Sequence, residues 1–355
     1  MIWTNRHSPL IRALTVAALG SLAMAGCSSA PSATASSGSG ANAKVPLVVY
    51  SAQGYDQAMT EAFQRATGIQ VKLDDNSTGP LLTQIEASRN NPNWGLLWVD
   101  GATAFAGLDT QGLLYKGYEP SVTWNSLGTA SVPADKSYVP TGVTMMAALV
   151  YDKTKVPNPP TTWAQLLSAK WRNAVGMNDP SQSGPTYPFI AGMMSYLGGL
   201  QPGESFFTRL KANGLVIHPT NGPTLQALTS GQIKLALVQS SAGIGAALGD
   251  KNLAVAYLPP VTLLPSAIGI DAKAPPAEIR EAEQFIAFVL SPAGQKVMRS
   301  GDPTGDSLYY PVVRGVSPLP ALPPLASAKT QTIDPYTWGP REPAVNTWFD
   351  AHIVR

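Results

Sequence analysis

Short apolar runs alternate with amphipathic segments from residue 45 onward, and this alternation limits the folds open to the chain. Apolar runs of four to eight residues are typical of buried strands, whereas apolar residues at spacings of three and four indicate helices. Strands that alternate with helices favour a parallel sheet with helices on its faces. The predicted strands are 45–51, 69–73, 96–100, 174–177, 233–238 and 254–258, and the predicted helices are 56–67 with Gly68 as its C-cap, one starting at 77–80, one at 163–167, 186–197 and 278–290.

The length of this region predicts two lobes rather than one. About 310 residues follow residue 44, which exceeds what a single hydrophobic core usually supports. A long apolar stretch at 142–151 predicts an extended segment that crosses from one lobe to the other. The chain therefore has the pattern of an α/β protein with two cores.

The first residues have the pattern of an export signal. Arg6 and Arg12 precede a short apolar stretch, which begins at residue 13 and ends in small residues. The stretch is too short to span a bilayer comfortably. Residues 22–27 (Leu-Ala-Met-Ala-Gly-Cys) resemble the bacterial lipobox, although Met stands where Leu is usual. We therefore expect a signal peptide at 1–26, lipidation of Cys27, and a flexible Ser/Gly/Ala tether through residue 44.

Charge and cysteine content exclude several classes of protein. Charged residues make up 13% of the chain, and removal of Arg6 and Arg12 leaves 22 basic residues against 22 acidic ones. A nucleic-acid binder is poorly supported by this balance. The single cysteine excludes an intramolecular disulfide and a multi-cysteine zinc site. Hydrolase, protease and P-loop motifs are missing, and His218 and His352 lack metal-ligand spacing, so we expect no enzyme and no cofactor.

Four polar turns follow predicted strands and precede predicted helices. They lie at 51–54, 77–79, 181–184 and 239–241. In open α/β sheets, ligands bind beyond the carboxyl ends of strands, and helix N-termini bind oxyanions through backbone N–H groups. The alternative is that each Ser or Thr only caps its own helix, which is what such residues usually do.

Several segments, in their order and spacing, resemble a known family. The similarity spans most of residues 45–315, and each segment taken alone is weak. The chain resembles the extracellular solute-binding proteins of ABC importers, in the branch that includes ferric-iron binders. The segments are 48–52 (Val-Val-Tyr-Ser-Ala), 62–71, 77–79, 112–114, 151–152, 160–163 (Pro-Thr-Thr-Trp), 179–184 (Asp-Pro-Ser-Gln-Ser-Gly) and 288–295.

The resemblance implies a two-lobed periplasmic-binding-protein type II fold. Each lobe is a mixed, mainly parallel sheet flanked by helices, and the ligand lies in the cleft between the lobes. Crossing strands are expected near 140–149 and 260–270, which gives lobe 1 as 45–142 plus 265–355 and lobe 2 as 143–264. The implied protein is a monomer that closes on a small molecule, delivers it to a permease and its ATPase, and stays at the cell envelope through its lipid anchor, in the periplasm or on the outer face of the cytoplasmic membrane.

Ligand chemistry is less constrained by the sequence. Iron binders of this branch use a tyrosine pair after the strand that here ends at Gln239, where this chain has Ser240 and Ser241. Serine hydroxyls are poor ferric ligands, which favours an organic oxyanion: a phosphonate such as an aminoalkylphosphonate, a sugar phosphate or another phosphate ester. Asp100 either pairs with a ligand amino group or caps the next helix.

Three alternatives stay open. Ferric iron is one, because Tyr55 and Asp100 lie close to expected iron-ligand positions, whereas Tyr309-Tyr310 resembles a structural segment. A polyamine or thiamine binder that uses Trp94, Trp98 or Tyr187 is another, and an envelope sensor or scaffold is the third. The expected ligand-binding residues are Ser51, Gln53, Tyr55, Ser77, Thr78, Gly79, Asp100, Ser181, Ser183, Gly184, Thr186, Tyr187, Gln239, Ser240 and Ser241, with no metal ligand and no catalytic residue among them.

Overall fold

The computed structural model describes residues 44–302 and 307–355. The predicted signal peptide, Cys27 and all of the tether except Lys44 lie outside these residues. Among the helices of the described part, none is long and apolar enough to span a membrane.

One mixed sheet runs through the described part of the chain. Its nine strands follow the order β2-β1-β3-β8-β4-β7-β5-β6, with β9 paired to β8. The strands are β1 (Leu47–Ser51), β2 (Val71–Asp75), β3 (Leu96–Asp100), β4 (Val139–Asp152), β5 (Val175–Asn178), β6 (Val216–His218), β7 (Leu235–Val238), β8 (Leu253–Ile270) and β9 (Thr330–Gln331).

Two long strands join the two halves of this sheet. β4 and β8 pair antiparallel from Val139 opposite Ile268 to Asp152 opposite Leu253. On one side, β1 lies parallel between β2 and β3, and β3 pairs with β8. On the other side, β5 lies parallel between β6 and β7, and β7 pairs with β4. The predicted two-lobed α/β fold with mainly parallel sheets is confirmed, and β4 and β8 contain both predicted crossings.

Helices cover both faces of the sheet. Short 3-10 turns at Trp163–Leu167, Ala169–Trp171, Leu325–Ser327 and Gly339–Arg341 accompany them, and the chain ends in a π-helical turn at Asp350–Val354. The α-helices are α1 (Asp56–Thr67), α2 (Thr78–Ala87), α3 (Ala102–Thr110), α4 (Ser126–Ser131), α5 (Thr186–Leu197), α6 (Leu200–Ala212), α7 (Asn221–Thr229), α8 (Ser240–Gly249), α9 (Pro276–Leu290), α10 (Pro292–Ser300), α11 (Pro335–Trp338) and α12 (Glu342–Phe349).

Local interactions explain where three of the predicted elements agree with the structure or differ from it. α1 ends where predicted, because Gly68 adopts the left-handed conformation (φ 72°) and its N–H donates to the carbonyl of Gln64. β2 begins two residues later than predicted, since Ile69 is used in the turn and Val71 N–H is held by the side chain of Gln64. The predicted helix at 163–167 is a single 3-10 turn, because the chain extends again at Ser168.

The end of the chain packs on both lobes. The Phe349 ring lies 5.5 Å from the ring of Phe207 in the core of the second lobe. Gly339 instead lies against α3 of the first lobe, where an added Cβ would come within 2.4 Å of the carbonyl oxygen of Thr103. The placement of all of 265–355 in lobe 1 therefore needs correction: residues 335–355 bridge the lobes, since their apolar side chains complete the core of the second.

Candidate ligand-binding cleft

The carboxyl ends of six strands meet at one cavity of about 460 Å³, which we call the cleft cavity. This is where an open α/β sheet places its ligand, and the volume lies within the range of small-molecule sites. Its walls come from both lobes. The lining residues are Ala52, Gln53, Gly54, Asp56, Gln57, Asp75, Asn76, Ser77, Thr78, Asp100, Gln182, Ser183, Gly184, Pro185, Thr220, Asn221, Gly222, Gln239 and Tyr309.

Asp100 stands at the end of β3 and is held by donors from both lobes. Gln53 Nε2 donates to its Oδ1 at 3.1 Å. Gln239 Nε2 and the hydroxyl of Tyr309 donate to its Oδ2 at 2.8 and 2.7 Å. Burial raises the pKa of Asp100, and these hydrogen bonds oppose that shift. Asp100 therefore links the two lobes, and it does not cap α3, whose N-cap is Gly101 without a side-chain bond.

Two helix N-termini, one from each lobe, open into the cleft cavity. Ser77 is the N-cap of α2 and Thr220 is the N-cap of α7, and both residues line the cavity. Among the residues that the structure describes, no N–H in the first turn of either helix donates to its N-cap side chain. A hydroxyl that leaves its helix uncapped, beside backbone N–H groups without intrahelical partners, can donate to an oxyanion instead.

The other polar feature of the cavity is acidic. Asp56, Asp75 and Asp100 line it, and among the described residues of its lining there is no Lys, Arg or His. Asp56 begins α1 and is 2% exposed. Desolvation, opposed by a hydrogen bond from Ser51, raises the pKa of Asp56 to about 6, and the negative charge of Asp75 adds to the rise. The cavity therefore concentrates negative charge without a cationic side chain to balance it.

Two buried acceptors of the cavity have no protein donor. Oδ2 of Asp56 and Oε1 of Gln53 are both inaccessible to bulk solvent and lack a hydrogen-bond partner among the described residues. Buried polar atoms are nearly always paired, because leaving one unpaired costs about 1–3 kcal/mol. These two oxygens are therefore poised to accept hydrogen bonds from a bound molecule.

The lobes touch each other beside the cleft cavity. Gly79 N–H donates to the carbonyl of Gln182 at 3.3 Å, and a Cβ at Gly79 would lie 1.8 Å from the carbonyl oxygen of Ser181. Gly184 likewise faces Thr78, with an ideal Cβ 2.5 Å from that side chain. Only glycine at these two positions permits such a close approach between the lobes.

A second cavity of about 590 Å³ lies on the far side of this contact, and we call it the C-terminal cavity. α2 and α3 line one side of it, and residues 339–346 line another. Glu342 lies in its wall, where burial raises the pKa of that carboxyl to about 8. Its lining combines Leu, Ala, Gly and Pro with Thr, Glu, Gln, Ser and Asn, and the turn after β5 contributes Pro180, Ser181 and Gly184.

The structure brings together about half of the residues predicted from the sequence. Those that line the cleft cavity are Gln53, Ser77, Thr78, Asp100, Ser183, Gly184 and Gln239. Gly79 and Ser181 instead line the C-terminal cavity, where the Ser181 hydroxyl donates to Asp179 Oδ1 at 2.8 Å.

The other predicted site residues lie in the interior. Tyr55 packs edge-on against Trp98 at 5.1 Å, and desolvation raises the pKa of its phenol well above the usual value. Tyr187 is buried and donates to the carbonyl of Trp338. Trp94, Trp98 and Tyr187, which were candidates to stack on a ligand, pack in the core instead, and Tyr55 is buried there as well. Ser51 accepts from Gln53 N–H, Ser240 accepts from Met145 N–H, and Ser241 and Thr186 are fully buried.

Sequence reasoning missed several lining residues. Asp56 and Asp75 were available from the pattern, because each stands within five residues of a predicted strand end, as Asp100 does. Thr220 and Asn221 follow β6, a three-residue strand too short to be noticed. Tyr309 was set aside as structural, and it reaches the cleft from a loop more than 200 residues away from its partner Asp100.

A metal centre is not assembled from these groups. Within residues 44–302 and 307–355, no three His, Cys, Asp or Glu side chains group closely enough to hold a metal ion. Tyr55, the phenol considered for iron, lies outside the lining of the cleft cavity.

Fold and cleft together define a two-lobed binding protein, and comparison with known proteins gives the family. The sequence-family model for bacterial extracellular solute-binding proteins matches residues 58–321 of this chain. The chain therefore belongs to the bacterial extracellular solute-binding protein family, and it is a solute-binding protein.

Individual relatives are distant. A protein of Salmonella paratyphi A named as a putative 2-aminoethylphosphonate-binding periplasmic protein is 23% identical over 265 residues, which cover 70% of this chain and 75% of the relative. Iron-bound HitA from Pseudomonas aeruginosa is 24% identical, with a TM-score of 0.72 over 86% of this chain and 99% of HitA. AfuA from Actinobacillus pleuropneumoniae, solved with fructose-6-phosphate, is 18% identical, with a TM-score of 0.76 over 87% and 98%. The solved structures establish the shared fold.

Proposed function

We propose that the protein is the substrate-binding component of an ABC importer and captures a small oxyanion-bearing solute by closure of its two lobes. The solute class is a phosphonate, such as an aminoalkylphosphonate, or a phosphate ester. A lipid on Cys27 holds the protein at the membrane face where the permease and its ATPase receive the solute. Closure would shift the population toward the form that the permease recognises.

One observation carries the oxyanion assignment. Ser77 and Thr220 leave their own helices uncapped and face the same cavity from opposite lobes. An oxyanion between them would accept hydrogen bonds from both hydroxyls and from the first N–H of each helix, on Thr78 in α2 and on Asn221 in α7. The second N–H of α2, on Gly79, is already bonded to the carbonyl of Gln182. Such a ligand satisfies orphan donors of both lobes at once, which is what favours closure. The name of the Salmonella relative supports the same class of ligand.

Ferric iron is the competing ligand, and the cleft supports it less well. Asp56, Asp75 and Asp100 line the cavity, but among the described residues no three His, Cys, Asp or Glu side chains group closely enough to hold a metal ion. Asp100 already accepts hydrogen bonds from Gln53, Gln239 and Tyr309. The serines after β7 are buried away from the cavity.

Thermal unfolding and titration calorimetry of the purified protein test this function. The panel comprises 2-aminoethylphosphonate, ethylphosphonate, fructose 6-phosphate, ferric citrate, thiamine and putrescine. We expect stabilisation by a phosphonate or phosphate ester, of about 2.7 kcal/mol when the ligand is present at 100 times its dissociation constant. Stabilisation by ferric citrate, thiamine or putrescine alone would contradict the proposal.

A further inference from the structure

The charge of the cleft cavity does not match a simple anion. Oxyanion donors are present at α2 and α7, yet Asp56, Asp75 and Asp100 line the same space, and no basic side chain balances them among the described lining residues. A dianion placed there would be repelled by the buried carboxylates of Asp56 and Asp100, where Coulomb interactions are strong, and more weakly by the exposed Asp75. The ligand itself must therefore bring positive charge.

The unpaired acceptors show where that charge belongs. Asp100 is not available, because Gln53, Gln239 and Tyr309 already donate to its two oxygens. Oδ2 of Asp56 and Oε1 of Gln53 are the buried acceptors of the cavity without a donor among the described residues. Gln53 lies on the turn that joins β1 to α1, and Asp56 is the first residue of α1. Each residue is 2% exposed, so bulk water does not satisfy these atoms.

We propose that Gln53 and Asp56 form an ammonium subsite, so that the ligand is an aminoalkyl oxyanion bound with its amino group on the β1–α1 turn and its oxyanion at the N-termini of α2 and α7. This inference rests on the proposed function and narrows it from oxyanions in general to zwitterions. An ammonium group carries three N–H donors, which suits two neighbouring oxygen acceptors. Asp75 adds a longer-range attraction from the end of β2.

The subsite also gives Asp56 and Asp100 different roles, although both are acidic residues that stand near the end of a strand. Asp100 organises the floor of the cleft and links Gln53 to Gln239 across the lobes. Asp56 has one oxygen in contact with no protein donor and so is the carboxylate that meets the ligand. The amino group that was considered for Asp100 is thereby reassigned to Asp56.

Calorimetry with two phosphonates that differ only in the amine tests the subsite. Wild-type protein should bind 2-aminoethylphosphonate roughly 10- to 100-fold more tightly than ethylphosphonate, as expected for a buried hydrogen bond between charged groups. Asp56→Asn should remove most of this preference by weakening 2-aminoethylphosphonate, while ethylphosphonate binds equally well or better because a negative charge is gone. Asp74→Asn, on the same strand as Asp75 but outside the cavity lining, is the matched control and should leave both affinities unchanged.

The possible outcomes separate the two proposals. Equal binding of both phosphonates by wild-type protein, or equal losses for both in Asp56→Asn, would overturn the ammonium subsite and leave the oxyanion function standing. Binding of neither phosphonate would overturn the ammonium subsite, and it would overturn the proposed function as well if fructose 6-phosphate also fails to bind. Circular dichroism of Asp56→Asn confirms that a change in affinity does not come from a loss of fold.

Discussion

The cleft cavity and the C-terminal cavity are neighbours of similar volume that share Thr78 and Gly184 but differ in the chemistry of their other lining residues. The larger one is lined by α2, α3 and residues 339–346, where Leu, Ala, Gly and Pro are mixed with Thr, Glu and Asn. The smaller one collects the carboxyl ends of six strands and two uncapped helix N-termini. Volume alone would choose the wrong cavity for a polar solute. The polar groups at strand ends identify the ligand site, whereas the C-terminal cavity reflects how the end of the chain packs across the lobes.

The contact that separates the two cavities gives the largest expected effect. Gly79→Ala places a Cβ 1.8 Å from the Ser181 carbonyl oxygen, so the lobes have to separate. We expect affinity for a phosphonate to fall by roughly 100-fold, the consequence of overpacking this close contact between the lobes. Calorimetry measures the loss, and small-angle scattering with ligand should show a wider molecule than wild type.

Gly249→Ala is the control for this substitution. Gly249 ends α8, and an added Cβ there would meet no atom within 4 Å. Wild-type affinity in Gly79→Ala would mean that the lobe contact plays no part in holding the ligand, and the cleft cavity would lose its role as a closed site.

The acidic side of the cleft is expected to cost the empty protein stability. The folded protein raises the pKa of Asp56 from 3.8 to about 6, so folding favours its neutral form. Below about pH 4, Asp56 is protonated in both the folded and the unfolded protein, and its burial costs no stability. As the pH rises through about 6, Asp56 becomes charged in the folded protein and the full penalty for burying that charge develops. A pKa shift of this size corresponds to a loss of roughly 3 kcal/mol in the free energy of unfolding. Replacing Asp56 by Asn would remove this penalty, but it would also remove a negative charge that stabilises the start of α1 by about 0.5–1 kcal/mol.

Asp56→Asn should therefore stabilise the empty protein by about 2 kcal/mol at pH 8 and by little near pH 4. Urea unfolding across this pH range, without ligand, measures the difference. Asp75, Asp100 and Tyr55 are present in both proteins, so the comparison measures the replacement of Asp56 together with its electrostatic interactions with these neighbours. A variant that is less stable than wild type at pH 8 would show that Asp56 supports the fold rather than the site.

Sequence patterns predicted those elements whose local signals agree with their packing. α1 has an apolar stripe and a terminal glycine, and β3 and α5 are short, strongly apolar segments with clear ends. α3 was missed because both of its faces are buried and its residues are mostly Ala, Gly and Thr, which leaves no polar stripe to mark the period. The assignment of the C-terminal segment to lobe 1 alone missed its packing on the second lobe, because nothing local shows which core receives Phe349.

The candidate site divides in the same way. Strand ends are visible in sequence, and they led to Gln53, Ser77, Asp100 and Gln239. Which hydroxyls face the cavity depends on the angle at which each helix leaves its strand, so the buried Ser240 could not be told from Ser77. Tyr309 depended on a contact across most of the chain. The difference between Asp56 and Asp100 emerged only from their hydrogen-bond partners.

The smallest expected effect compares one serine in each cavity. Ser77→Ala removes a hydroxyl that lines the cleft cavity and should weaken phosphonate binding about 5- to 10-fold, the value of one hydrogen bond of about 1 kcal/mol. Ser181→Ala removes a hydroxyl that lines the C-terminal cavity and is bonded to Asp179, and it should leave the affinity unchanged. The opposite order of effects, measured by calorimetry, would move the ligand site to the C-terminal cavity.

A crystal structure of the protein with 2-aminoethylphosphonate tests the central claim most directly. The account predicts the phosphonate oxygens at the N-termini of α2 and α7, within hydrogen-bond distance of Ser77 or Thr220, and the amino group on Asp56 and Gln53. A ligand in the C-terminal cavity, or one bound in the cleft with its phosphonate toward the β1–α1 turn, would contradict it.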